Sequence, residues 1–175
     1  MIERLGFYSQ ALVEATKFDP SFAIISITNP ASEAKIIGTD NILRLEFLDL
    51  DLKDVDYEMI KEGIAFNQQH ATDIIEFVEE ISKKPQINTL VVHCYAGVSR
   101  SSAVSLGIYH YLKENNLLAD KFDFPSHMQT HYANTLVTST FKKFLREDIY
   151  VPTKAEAQRA MEDVLVYIPK MFKPL

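Results

Sequence analysis

Residues 91 to 102 read VVHCYAGVSRSS, and they hold the one cysteine of the 175-residue chain. Cys94 closes an apolar run, Gly97 follows at mid-segment, and Arg100 comes six residues after the thiol. If Cys94 to Arg100 wraps between a strand end and a helix start, the backbone N–H groups of Tyr95, Ala96, Gly97, Val98 and Ser99 converge with the helix dipole into an anion site. Gly97 permits a left-handed turn where a side chain would be strained. Arg100 then offers a planar fork of donors to two oxygens of a phosphate. Beside a helix N-terminus and a cation, the Cys94 thiol is expected to ionise readily. A thiolate facing a cradled phosphate monoester is a nucleophile already positioned on phosphorus. The Ser101 hydroxyl can donate to the Cys94 sulfur and ease its later departure. His93 can fix the backbone of the loop.

Taken alone, a cysteine at the end of a strand is ordinarily a small hydrophobe. The glycine and arginine at these spacings reverse that reading. Ser101 can also serve as a helix N-cap, and His93 read alone is structural before it is chemical.

This arrangement needs a strand before Cys94 and a helix after Arg100. Three β-rich runs stand out, at residues 22–28 (FAIISIT), 43–47 (LRLEF) and 90–94 (LVVHC). The first and third are nearly continuous in apolar residues, as strands covered on both faces are. Ser9 is the expected N-cap of a short helix through Lys17, ended by Asp19-Pro20, so the chain opens strand-helix-strand. Between Asp56 and Lys84, Ile60, Ile64, Ala71, Ile74, Ile75, Val78 and Ile81 recur at helical spacing and predict one long helix stopped by Pro85. From Ser101 a largely apolar stretch predicts a buried helix ending at Asn115-Asn116. Val137, Phe141, Phe144 and Leu145 predict a core-facing helix. Beyond Pro152, the stripe Ala157, Met161, Val164, Leu165 and Ile168 predicts a further C-terminal helix over 151–175.

Strands alternating with helices predict an α/β fold, with a central, mostly parallel sheet of 4–5 strands flanked by helices. Ligands bind beyond the carboxyl ends of such strands, which is where Cys94 to Arg100 lies. The length and the lack of linkers predict a single domain over 1–175.

Composition narrows the function classes. Hydrophobic residues make up 47% and charged residues 24%, as in an ordinary globular chain. A formal net charge of −6 has the wrong sign for a phosphate-backbone binder, so no nucleic acid partner is expected. The start, MIERLGFYSQ, has no secretory pattern and no stretch is apolar enough for a membrane span, so a cytoplasmic location is expected. A lone cysteine has no internal disulfide partner.

His93-Cys94-x-x-Gly97-x-x-Arg100-Ser101 resembles the signature of the cysteine-dependent protein tyrosine phosphatase superfamily, and within it the bacterial dual-specificity-like members. Five specified positions match by chance on the order of once in ten thousand chains of this length. The resemblance covers roughly residues 1 to 148. It implies the phosphotyrosine protein phosphatase-like fold and hydrolysis of phosphomonoesters through a cysteinyl-phosphate intermediate, without metal or organic cofactor. Cys94 would be the nucleophile, Arg100 and the loop the phosphate holder, and Ser101 the aid to the leaving thiolate.

The resemblance also implies an aspartic acid, upstream of the nucleophile, that protonates the leaving group. The stretch FLDLDLKDVD, residues 47 to 56, offers four carboxylates. Asp49, just past the strand, ranks first, Asp51 second and Asp54 third, with Asp56 the remaining carboxylate of the run. Asn134 resembles the Asn of a Pro-Asn pair in dual-specificity-like relatives, with Ala133 in place of the Pro, and would support the phosphate loop.

Other patterns carry less. The acidic run lacks the Gly and final Glu of a calcium loop, and His127 and His131 lack the Glu of a zinc hydrolase. Asp123-Phe124-Pro125 resembles the acid of the low-molecular-weight phosphatases, which carry their nucleophile near the N-terminus rather than at position 94. With no lysine between Cys94 and Arg100, a phosphotyrosine protein is the first expected substrate, in single or dual specificity. The alternatives are a small phosphate ester or nucleotide, or a binding module that holds phosphate esters without turnover. A sulfur or arsenate handler would need a second cysteine.

Overall fold

A computed structural model describes residues 1–123 and 132–151, together with 153 and 155. The expected C-terminal helix stripe, the His127/His131 pair and Phe124-Pro125 lie outside them.

Strands β1 (Ile2–Ser9), β2 (Phe22–Thr28), β3 (Ile42–Glu46), β4 (Thr89–Cys94) and β5 (Leu118–Asp123) form one sheet in the order β3-β2-β4-β1-β5. All four pairings are parallel, so the expected α/β class holds, with five strands. β4 is central, flanked by β2 and β1, and its last residue, Cys94, pairs in register with Ser9.

Side chains alternate across a strand, and here the alternation sorts the site. Ala23, Ile25 and Ile27 of β2, with Leu90, Val92 and Cys94 of β4, face the larger core. Ile24 and Val91 face a smaller one with Val13 and Phe18. His93 therefore points away from Cys94, toward the second face, where Ser26 stands opposite it. Burying each Ile or Phe of the larger core contributes on the order of 2 kcal/mol.

Helix α1 (Gln10–Glu14) starts at the expected cap, with the Ser9 side chain accepting from the Leu12 N–H at 3.3 Å. It ends at Glu14 rather than Lys17, and its Val13 covers the second face. The long helix expected between Asp56 and Lys84 is two helices, α2 (Tyr57–Lys61) and α3 (Gln68–Ser82). Gly63, at φ +74°, takes the chain out of helical geometry between them. Asn67 then restarts it with a reciprocal cap, its side chain accepting from the His70 N–H while the His70 ring accepts from the Asn67 N–H.

Helix α4 (Arg100–Glu114) runs from the signature segment through the core and stops at Asn115-Asn116 as expected. Its first nine residues, Arg100 to Ile108, are buried. Helix α5 (Thr135–Phe141) buries Leu136, Val137, Thr140 and Phe141; the expected continuation through Phe144 is a 3-10 turn over Lys142–Phe144. β5 pairs with β1 through a register shift between Ile2 and Arg4, and Asp123 ends it at the sheet edge. No helix among the described residues is long and apolar enough to cross a membrane.

Candidate active site

The signature segment lies between the carboxyl end of β4 and the first turn of α4. Its shape is set by close backbone packing. Gly97 has φ +73°, and a Cβ there would stand 2.3 Å from the Ser9 nitrogen and 2.4 Å from the Tyr8 carbonyl carbon. No side chain fits between the loop and the end of β1. A backbone bond from Gln10 N–H to the Tyr95 carbonyl, 3.2 Å, ties the loop there as well.

The loop's last two carbonyls, like that of Tyr95, are occupied. Ser99 O accepts from the backbone N–H groups of Ala103 and Asn134, and the Ser102 hydroxyl reaches Val98 O and Ser99 O. Among the described residues, no acceptor takes the N–H of Tyr95, Ala96, Gly97, Val98 or Ser99. Five successive donors therefore remain on a turn that enters a helix N-terminus, the arrangement that binds anions.

Cys94 is 1% exposed, and its sulfur lies 3.2 Å from the Ser101 hydroxyl, in hydrogen-bond contact. The two residues predicted to act together are thus adjacent. His93 sits on the other face of β4, Nε2 against the Ser26 hydroxyl at 2.8 Å. Burial pushes its pKa down to about 4, opposed in part by the Cys94 backbone. His93 is thus held neutral on the face of β4 away from Cys94.

Arg100 is 4% exposed. One terminal nitrogen donates to the Asn29 side-chain oxygen at 2.9 Å and to the Phe47 carbonyl at 2.6 Å. The guanidinium lies over the Phe47 ring, 5.9 Å from its centroid. Among the described residues its Nε has no hydrogen-bond acceptor, and it stands 3.9 Å from Asp49 Oδ2. A buried guanidinium steered by two neutral acceptors and an aromatic face keeps a donor free for an anion.

The four candidate carboxylates separate cleanly. Asp49 Oδ1 accepts from the Ser99 hydroxyl at 2.7 Å and from the Asn134 amide at 2.8 Å, which puts this aspartate at the mouth of the loop, 41% exposed. Asp51 accepts from the Thr135 backbone and hydroxyl, at 3.3 and 3.0 Å, and so tethers its segment to the start of α5. Asp54 is exposed in the turn that follows, and Asp56 caps α2 through the Met59 N–H at 2.9 Å. Asp51 is thus engaged at the start of α5, and Asp54 is exposed in a turn. Asn134 caps α5, and its N–H donates to Ser99 O at 3.2 Å.

Asn29, Ser26 and the Phe47 carbonyl had no signal in the signature itself. Asn29 directly follows β2, a neighbour of β4, and that adjacency is the signal that finds it. Asp123 is at the far edge of the sheet, on a strand that does not touch β4. Among the described residues, no group of three or more His, Cys, Asp or Glu side chains is placed to hold a metal ion.

No protein-family model matches the chain, and no curated protein matches it.

Proposed function

We propose that this chain hydrolyses phosphomonoesters through a cysteinyl-phosphate intermediate, as a cysteine-dependent protein tyrosine phosphatase of the dual-specificity-like kind. The observation that carries the reading is the junction of two segments distant in sequence. The only cysteine, a buried arginine with a spare donor and five unpaired loop N–H groups meet one carboxylate, Asp49, at the mouth of the same turn.

The Cys94 thiolate attacks phosphorus while the bond to the leaving oxygen breaks, and the Asp49 proton moves to that oxygen. Arg100 and the loop N–H groups hold the three remaining oxygens as charge shifts among them. Water then attacks phosphorus, the P–S bond breaks, and the proton released by water returns to Asp49. Ser101, 3.2 Å from the sulfur, stabilises the departing thiolate.

A phosphotyrosine protein is the substrate this reading favours. No lysine lies between Cys94 and Arg100 to meet further phosphates, which disfavours polyanionic esters. The experiment is phosphate release from p-nitrophenyl phosphate by wild type, Cys94→Ser and Asp49→Ala, without added metal. Activity in wild type and its loss in Cys94→Ser is the expected result. A wild type that binds phosphopeptides yet releases no phosphate overturns the enzyme reading in favour of a binding module.

A further inference from the structure

We infer that Asn134 is a positioning residue for Asp49: with the Ser99 hydroxyl, its amide fixes one carboxylate oxygen so that the other faces the phosphate loop. This inference rests on the hydrolase reading above and deepens it.

Asn134 is 2% exposed, and every hydrogen-bonding atom of its side chain is used. Oδ1 accepts from the Val137 N–H at 3.0 Å, capping α5. Nδ2 donates to Asp49 Oδ1 at 2.8 Å and to the Leu50 carbonyl at 3.0 Å. The partners fix the orientation of the amide, because one end meets a donor and the other meets two acceptors. The Asn134 backbone N–H reaches Ser99 O in the loop. One buried residue thus joins three parts that must agree in position: the acid segment, the phosphate loop and α5.

Asp49 is held asymmetrically as a result. Among the described residues its hydrogen bonds, from Ser99 and Asn134, fall on Oδ1, while Oδ2 lies 3.9 Å from Arg100 Nε. Oδ2 is the oxygen turned toward the group that holds phosphate, so it carries the proton given to the leaving oxygen. The tether of Asp51 to Thr135 restrains the same segment two residues later. Proton transfer demands placement within hydrogen-bond reach, and a carboxylate free to rotate would lose that alignment.

The test is the dependence of kcat/KM on the leaving group. 2,4-Dinitrophenyl phosphate departs without a proton, whereas phenyl phosphate needs one. Asn134→Ala is expected to lower kcat/KM for phenyl phosphate by about tenfold to a hundredfold and to leave 2,4-dinitrophenyl phosphate within about threefold. Added to Asp49→Ala, it is expected to cost nothing further on phenyl phosphate. Asn134→Ser keeps a helix-cap oxygen, is too short to reach Asp49, and carries the test if Asn134→Ala does not fold. Equal losses on both esters, or losses additive with Asp49→Ala, overturn the positioning role while leaving the hydrolase reading intact. A wild type inert on both esters overturns the hydrolase reading and this inference with it.

Discussion

Ser99 and Asp49, 50 residues apart in sequence, are joined by a 2.7 Å hydrogen bond that links the turn after β4 to the turn after β3. β3 and β4 are not neighbours in the sheet; β2 lies between them. The link therefore spans the carboxyl edge above β2, and Asn29, the residue after β2, holds Arg100 beneath it. Three strand ends converge on one guanidinium.

The separation of the four aspartates gives the first prediction. Asp49→Ala is expected to lower kcat on p-nitrophenyl phosphate by about a hundredfold, the usual loss of a general acid. Asp51→Ala removes the tether to Thr135 and is expected to lower stability by about 1 kcal/mol, as the loss of a helix-start acceptor does. Its kcat should fall far less than that of Asp49→Ala. Asp54→Ala should match wild type in both. Steady-state kinetics with urea denaturation of the three variants checks the order.

Two glycines at the same positive φ should respond differently to one methyl group. Gly63 has φ +74°, and an added Cβ meets nothing nearer than the Asn67 amide at 4.0 Å. Gly63→Ala is expected to cost about 1 kcal/mol, the left-handed penalty alone. Gly97, at φ +73°, would drive its Cβ into the backbone of Tyr8 and Ser9, which has no way to yield without moving β1. Gly97→Ala is expected to lose several times more stability, roughly 3 kcal/mol or above, and to abolish activity even where it folds. Thermal melts of the two variants compare them directly.

Acid should destabilise the protein before its carboxylates protonate. Folded His93 takes a proton only near pH 4, because burial disfavours its charged form, whereas the unfolded chain takes it at the ordinary 6.5. Between those values the unfolded state binds more protons, so stability is full above about pH 6.5 and falls as pH is lowered toward 4. The difference is worth roughly 3 kcal/mol. His70 adds to the trend, since burial lowers its pKa as well and its ring must stay neutral to accept from Asn67. Urea midpoints at pH 7 and pH 5 are expected to differ, and His93→Gln should narrow the difference. An unchanged gap in that variant refutes the assignment.

The elements nearest the chemistry were the most legible. β2 and β4 are apolar enough to declare themselves, and the loop's residue types state their own geometry. The helix between Asp56 and Lys84 was not, because the apolar spacing of Ile60 and Ile64 continues through the Gly63 break and masks it. β5 is hidden in the sequence because Asp120, Lys121 and Asp123 give an edge strand the look of a loop. Asn29 and the Phe47 carbonyl were invisible for another reason: they act on Arg100 only once β2 is known to sit beside β4, and a carbonyl carries no residue type. Its place after β3 ranks Asp49 first, and its hydrogen bonds to Ser99 and Asn134 set it apart from the other three carboxylates.

Asn29 supplies the last prediction. Arg100 is held at one terminal nitrogen by Asn29 and the Phe47 carbonyl, with its Cζ over the Phe47 ring. Arg100→Lys keeps a positive charge but loses the planar fork and the bond geometry to both acceptors, so charge alone would not rescue it. We expect a loss of kcat/KM of at least about a hundredfold. Asn29→Ala removes one of two acceptors and leaves the carbonyl, so the guanidinium stays in place with more freedom. Its loss should be smaller, about threefold to tenfold, and should appear mainly as weaker competitive inhibition by inorganic phosphate, because the ground-state anion meets the same guanidinium. If Asn29→Ala weakens phosphate as severely as Arg100→Lys does, the Phe47 carbonyl cannot hold the guanidinium alone, and the site depends on both acceptors together.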